Sequence, residues 1–316
     1  MKRLLILLLA LLLLVGCSAG EPKPTTFWTW GSQKALTLST VPKRTAVLFS
    51  SLAEVWRMAG GTVDITVGES VERGFASEDA VLVDSGAGKT IDVEALLAAK
   101  PDFVIGSSDI PAHTQACHAA KMAGIPAVQL RMDTLQDYLD ALRLFTNITG
   151  KPEAYEVFGS RVEIEVQDVL IHLPELSPKN ILFIRAGSTD SSTKAKRAPE
   201  NFVCVMLQKL GTYNIADDAP VLLDGLSLEH IMVRDPDFIF ISTMGDEAAA
   251  KAHMESLFQQ EGWRELTAVK TGSYAFLPRE LFHFKPNARW AAAYWHLAKL
   301  LYPELEERTV YVPELN

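Results

Sequence analysis

Two stretches, IDVEALLAAKPDFVIGSS at residues 91–108 and LSLEHIMVRDPDFIFIST at residues 226–243, are versions of one another at a constant offset of 135. Glu94 pairs with Glu229, Pro101 with Pro236, Asp102 with Asp237, Phe103 with Phe238 and Ser107 with Ser242. Each copy reads as a short helix, a Pro-Asp turn and a buried strand. Proline cannot continue a helix, and the apolar run behind it is strand-length. A unit used twice in one chain implies two lobes of like construction. The length agrees: 316 residues exceed what one core comfortably holds.

Outward from the first copy, RTAVLFSS supplies a strand over Thr45–Phe49, and SLAEVWRMAGG a helix stopped by Gly60-Gly61. TVDITVG is a further strand, HTQACHAAKMAG a helix closed by Gly124, and IPAVQL another strand. Short apolar strands alternating with helices predict parallel pairing with both sheet faces covered. TLQDYLDALRLFTNITG ends at Gly150, and Pro152 opens a longer helix at its favoured first-turn position. Tyr155, Phe158, Val162, Val166, Val169 and Leu173 form one apolar stripe along it. The alternation then restarts with NILFIRAG and runs to a last amphipathic helix, NARWAAAYWHLAKLLYP. The expected architecture is α/β, two lobes with mostly parallel sheets: residues 36–150, a bridging helix over 151–174, and residues 175–316.

The chain is 48% apolar with a formal net charge of −9, and an acidic surface repels phosphates, so nucleic acid is not an expected partner. The N-terminus, MKRLLILLLALLLLVGC, has Lys2 and Arg3 followed by twelve apolar residues, Leu4 to Val15. That is short of the roughly 20 residues a membrane span needs and fits a secretory leader over residues 1–16. Residues 17–35, broken by Pro22 and Pro24, read as a polar tether. Leu14-Val15-Gly16-Cys17 resembles the lipobox of bacterial lipoproteins, which implies that Cys17 is acylated and becomes the first mature residue. The body would then be lipid-anchored to the cell membrane, facing outside the cytoplasm. Losing Lys2 and Arg3 takes the net charge from −9 to −11. Cys117 and Cys204 remain, one in each half and without metal-ligand spacing; both read as buried thiols with no disulfide between them.

Ligands of such sheets meet the loops at the carboxyl ends of the strands. In the first half these loops offer Ser51, Ser108, Asp109 and Arg131, together with the Glu69–Phe75 loop. In the second half RAGSTDSSTKAKRAPEN carries Arg185, Lys194, Lys196 and Arg197, Met244 follows a strand end, and RELFHFKPNAR carries His283 and Arg289, with Arg279 and Lys285 in the same run. So many cations in an acidic protein point to an anionic ligand, since arginine offers paired donors and lysine a point charge. Other chemistries lack their residues. SGAGKT at 85–90 imitates a phosphate loop, but Val83 stands where that pattern requires glycine. Neither G-x-S-x-G nor H-E-x-x-H occurs, and His113 and His118, five apart, do not share a helix face. No catalytic residues, resident cofactor or metal ligands are expected.

The ordered set PKRTAVLFSSLAEV, DVEALLAAKPDFVI, GIPAVQL, SLEHI with PDFIFI, and AVKTGSYAFLP with ARW and LAKLLYPE resembles the substrate-binding lipoproteins of ABC importers for iron-siderophore, haem and cobalamin. The likeness runs over residues 36–304. It implies a monomer of two lobes joined by one long rigid helix, with a ligand cleft between them and only slight opening. It also implies that Glu94 and Glu229 sit on the rims and dock on arginines of the permease, which works with its ATPase. Among the ligands of that family an anionic ferric siderophore of the catecholate type suits the basic loops best. Haem, cobalamin, an oxyanion such as molybdate and, more remotely, a free metal ion are the alternatives. The Glu69–Phe75 loop lacks the tyrosine by which haem-binding members hold iron, and Trp56, Trp263, Trp290 and Trp295 read as packing residues.

Overall fold

The computed structural model of the chain describes residues 25–29, 34–85, 90–174 and 178–315. The leader and Cys17 lie outside the described residues. Where a polar tether was expected, strands β1 (Thr25–Thr29) and β2 (Lys34–Leu38) pair antiparallel, Thr25 opposite Leu38. The reason is alternation: Leu36 and Leu38 are buried while Ala35 and Thr37 face outward. A period of two over five residues was masked by the prolines before it.

The first sheet contains β3 (Thr45–Val47), β4 (Ile65–Thr66), β5 (Val81–Leu82), β6 (Phe103–Ser107) and β7 (Ala127–Leu130), in the order β5-β4-β3-β6-β7 with every pair parallel. Helices α1 (Ser50–Met58), α2 (Gly68–Glu72), α3 (Val93–Ala98), α4 (Pro111–Met122) and α5 (Leu135–Thr149) alternate with or follow these strands. The bridge is α6 (Pro152–Tyr155), a π-helical turn over Glu156–Ser160, and α7 (Arg161–Ile171). The expected stripe holds in α7, where Val162, Val166 and Val169 are buried. The expectation of one regular helix does not. At the π turn Gly159 is buried against the Tyr155 ring, and the Phe158 carbonyl accepts a 2.5 Å hydrogen bond from Tyr138 Oη.

The second sheet uses β8 (Asn180–Ala186), β9 (Lys194–Ala195), β10 (Tyr213–Asn214), β11 (Phe238–Thr243) and β12 (Tyr274–Phe276), in the parallel order β10-β8-β11-β12 with β9 antiparallel on β8. Its helices are α8 (Phe202–Lys209), α9 (Val221–Asp224), α10 (Leu228–Arg234), α11 (Glu247–Gln259), α12 (Thr267–Lys270), α13 (Arg279–Phe282) and α14 (Trp290–Leu301). Strand side chains alternate between two apolar layers in both lobes. Phe103, Ile105, Phe183 and Phe240 join one core shared with the bridging helix and α14. Val104 belongs to a separate outer cluster of the first lobe, and Leu182, Ile239 and Ile241 to that of the second.

The repeated stretches become α3-β6 and α10-β11, and both strands lie inside their sheets. The Pro-Asp turn does the same work twice. Asp102 accepts from the backbone N–H groups of Lys43 and Arg44 at 2.7 and 3.0 Å, and Asp237 from that of Asn180 at 2.8 Å. Each carboxylate therefore tethers the start of the neighbouring strand. The residues before the two prolines, Lys100 and Asp235, both adopt positive φ, 52° and 36°. Pro101 and Pro236 disfavour the right-handed region for those residues, so each helix ends abruptly into its strand.

Candidate functional site

Helix α1 starts directly after the β3 strand and its first seven residues are buried, an acid among them. That acid, Glu54, is 1% exposed. Three donors converge on it from both lobes. Asn287 Nδ2 donates to Oε2 at 2.8 Å and to the Ser51 carbonyl at 2.9 Å. Arg289 Nη2 lies 3.1 Å from Oε1, and Arg73 Nη2 3.5 Å from Oε2. Burial nevertheless pushes the Glu54 carboxyl above its usual range, against the pull of Arg289 and Arg73.

Arg73 comes from the loop after α2. Its Nη1 donates to Ser50 Oγ at 2.9 Å, and Ser50 in turn donates to Glu69. The guanidinium stacks over two rings, 4.7 Å from the centre of Phe75 and 3.9 Å from that of Phe284, the latter on the opposite lobe.

The second-lobe wall is cationic. Arg185, near the carboxyl end of β8, and Lys194 on β9 are cross-strand partners and so share one face. Arg185 Nε is buried with no hydrogen-bond partner among the described residues. Burial and then Arg279 lower its pKa, and no acid is among the groups acting on it. His283 hydrogen-bonds the Thr243 carbonyl through Nδ1 at 3.0 Å. Burial holds its pKa below the ordinary imidazole value, and Arg279 and Arg185 add to the effect. Met244, half-buried, is fixed by its N–H on the Ala186 carbonyl at 2.8 Å.

The remaining candidates are placed differently. Ser108, Asp109 and Arg131 are exposed, with Arg131 Nε on Asp133 at 2.7 Å. Asp133 also accepts from Lys285 Nζ of the other lobe at 2.6 Å. Partial burial and the nearby Asp133 carboxylate raise the Asp109 pKa. Lys196 is half-buried, and Arg197 lies 3.5 Å from Glu200 in its own loop. Ser51 is buried, with its hydroxyl unpartnered among the described residues and its carbonyl on Asn287. Glu94 and Glu229 are both exposed, in the first turns of α3 and α10. Trp56, Trp263 and Trp290 are core residues, and Trp295 is half-buried. Cys117 and Cys204 are buried free thiols. Among the described residues no group of three His, Cys, Asp or Glu is placed to hold a metal ion.

A groove of about 660 Å³ lies elsewhere, along β7, with Leu36, Lys121, Gln129 and Leu144 in its wall and Ser108 and Arg131 also lining it. None of Glu54, Arg73, Arg185 or His283 lines it. The junction of the lobes around Arg73 and Arg185 is the better candidate site on chemical grounds, because Arg185, half-buried and with its buried Nε unpartnered among the described residues, calls for an anion while the groove has no such group. Sequence reasoning missed Glu54, and it named the loops that carry Arg73, Phe284 and Asn287 without singling out those residues. A glutamate inside the apolar run SLAEVW was the one available signal for the first.

Residues 46–281 match the family model described as periplasmic binding protein. A vitamin B12-binding protein of Vibrio cholerae is 24% identical over 184 residues, 55% of this chain and 60% of that protein. The chain thus matches only about 60% of the length of the curated relatives it resembles. Solved structures share the fold. The periplasmic heme-binding protein RhuT from Roseiflexus sp. RS-1 superposes with a TM-score of 0.66 at 19% identity, covering 83% of this chain and 98% of that one. Staphylococcus aureus SirA, solved with staphyloferrin B, gives 0.64 at 17% identity, covering 88% and 97%. No helix among the described residues is long and apolar enough to cross a membrane.

Proposed function

Because the chain belongs to the periplasmic binding protein family, we propose that its cleft captures an anionic metal chelate, a ferric siderophore, and delivers it to an ABC-type permease and its ATPase. The observation that carries this reading is Arg185: a half-buried arginine whose Nε is buried without a hydrogen-bond partner among the described residues, and whose electrostatic neighbours are Arg279 and His283 rather than an acid. A buried cation without a counter-charge is costly, and an arriving carboxylate or catecholate would relieve that cost with charge-assisted hydrogen bonds. The similar proteins named for siderophore, haem and vitamin B12 binding support the ligand class in general terms. In this reading the protein is not an enzyme. Residues 1–16 are its leader, acylated Cys17 holds it at the membrane outside the cytoplasm, and it works as a monomer of two lobes, 36–150 and 175–316. Glu94 and Glu229 are the carboxylates that meet the permease.

The test is titration of the purified protein by tryptophan fluorescence with a ferric tris-catecholate, with haem and with cyanocobalamin. The catecholate should bind, and Arg185→Ala with Lys194→Ala should weaken it by about 1.5–3 kcal/mol for each charge-assisted bond lost. Added salt should weaken it too. Equal affinity in parent and double variant would remove the anionic chelate as the ligand, and preferential binding of haem or the corrinoid would replace it.

A further inference from the structure

Between α13 and α14 the second lobe sends one short segment, FKPNAR at residues 284–289, onto the first lobe. Three of its side chains hydrogen-bond across the cleft. Lys285 reaches Asp133 at 2.6 Å, Asn287 reaches the Ser51 carbonyl and Glu54, and Arg289 reaches Glu54. Phe284 adds its ring beneath the Arg73 guanidinium. Asn287 is fully buried and sits at φ 52°. Asparagine and glycine are the residues that most readily take the left-handed region, so this backbone position suits Asn, and its side chain is held from outside its own segment. Here what fixes it is the other lobe.

We infer that residues 284–289 are an inter-lobe latch with Glu54 as its receptor, so that Glu54 is a positioning residue that sets the separation of the lobes and the placing of Arg73 and Arg289. The lobes are also joined by the apolar core around α7 and α14. That core packs without regard to charge. The latch contacts are polar and are lost when the lobes part, while the hydrogen bonds within each lobe remain. Polar contacts can be exchanged for water at modest net cost, which suits a joint that opens and recloses. The latch is also coupled to ligand charge: an anion that approached Arg73 and Arg289 would compete with Glu54 for both. That coupling rests on the proposed anionic ligand, whereas the latch itself does not.

The test therefore needs no ligand. Nitroxide labels on Glu78→Cys and Lys209→Cys, both exposed and in different lobes, report lobe separation in the full-length protein by pulsed electron resonance. Asn287→Gly keeps the positive φ without strain and removes both Asn287 bonds. Glu54→Gln keeps the volume of the receptor and removes its charge. Each should move the distance distribution to longer values and broaden it, and Arg185→Ala should leave it unchanged. Distributions for Asn287→Gly that superimpose on the parent, in protein whose circular dichroism shows it folded, overturn the latch. Should Glu54→Gln not fold, Asn287→Gly and Lys285→Ala still decide the matter. A failed chelate titration would sink the ligand reading and leave this result standing.

Discussion

The two lobes share a scaffold and differ at their cleft-facing loops. In both, a helix with a glutamate in its first turn leads through a Pro-Asp turn into a strand inside the sheet, and the aspartate ties down the next strand. On the cleft-facing loops the first lobe presents Glu54 and Glu69 beside Arg73, and Asp109 and Asp133 beside Arg131, while the second presents Arg185, Lys194, Arg279, His283, Lys285 and Arg289. Repetition governs what holds each lobe together. Divergence governs what the cleft between them can hold, because a charge at a strand end is free to change without disturbing the layers beneath it.

The largest effect should come from the exposed glutamate that the lobes share in the first turns of α3 and α10. Reversing Glu94 and Glu229 to arginine together should lower uptake about tenfold or more, since like charges facing each other cost several kcal/mol. Chelate affinity of the purified protein should not change, and either single reversal should be milder. Normal uptake in the double variant would break the symmetry of the docking reading.

Each lobe also buries one thiol. Burial raises Cys117 to about 11 from an ordinary 9.0, and it raises Cys204 well above that value. A raised thiol pKa means that the folded state keeps its proton. Its contribution is thus complete below pH 9 and lost as pH rises through 11, amounting to about 2–3 kcal/mol for Cys117. Urea unfolding of parent and Cys117→Ala between pH 8 and 11 should show the parent losing more stability. Parallel losses would remove Cys117 as the cause.

The Pro-Asp turns allow a sharper comparison. Asp102 holds two backbone N–H groups and Asp237 one, so Asp102→Ala should cost about 2 kcal/mol and Asp237→Ala about 1, by thermal or denaturant unfolding. Equal costs would mean that the second bond to Asp102 contributes nothing.

The smallest effect concerns the residues before the prolines. Lys100→Gly relieves a positive φ and should be neutral or stabilising by roughly 0.5 kcal/mol. Asp235→Gly relieves the same strain but gives up the bonds to Thr267, 2.8 Å to its N–H and 2.5 Å to its hydroxyl, and should destabilise by about 1 kcal/mol.

By itself the sequence determined the two-lobe α/β plan, since helix, turn and strand are local patterns and this chain states one of them twice. It also singled out Arg185 and His283, because strand-end loops can be found from the strands. The pairing of residues 25–29 with 34–38 and the π turn at 156–160 were not legible, the one hidden by prolines and the other created by packing around Gly159. Only the tertiary structure decided the junction. Glu54 and Asn287 are 233 residues apart and meet because the two lobes come into contact. No local period records such a meeting, and a buried glutamate becomes a receptor only when another lobe brings it donors.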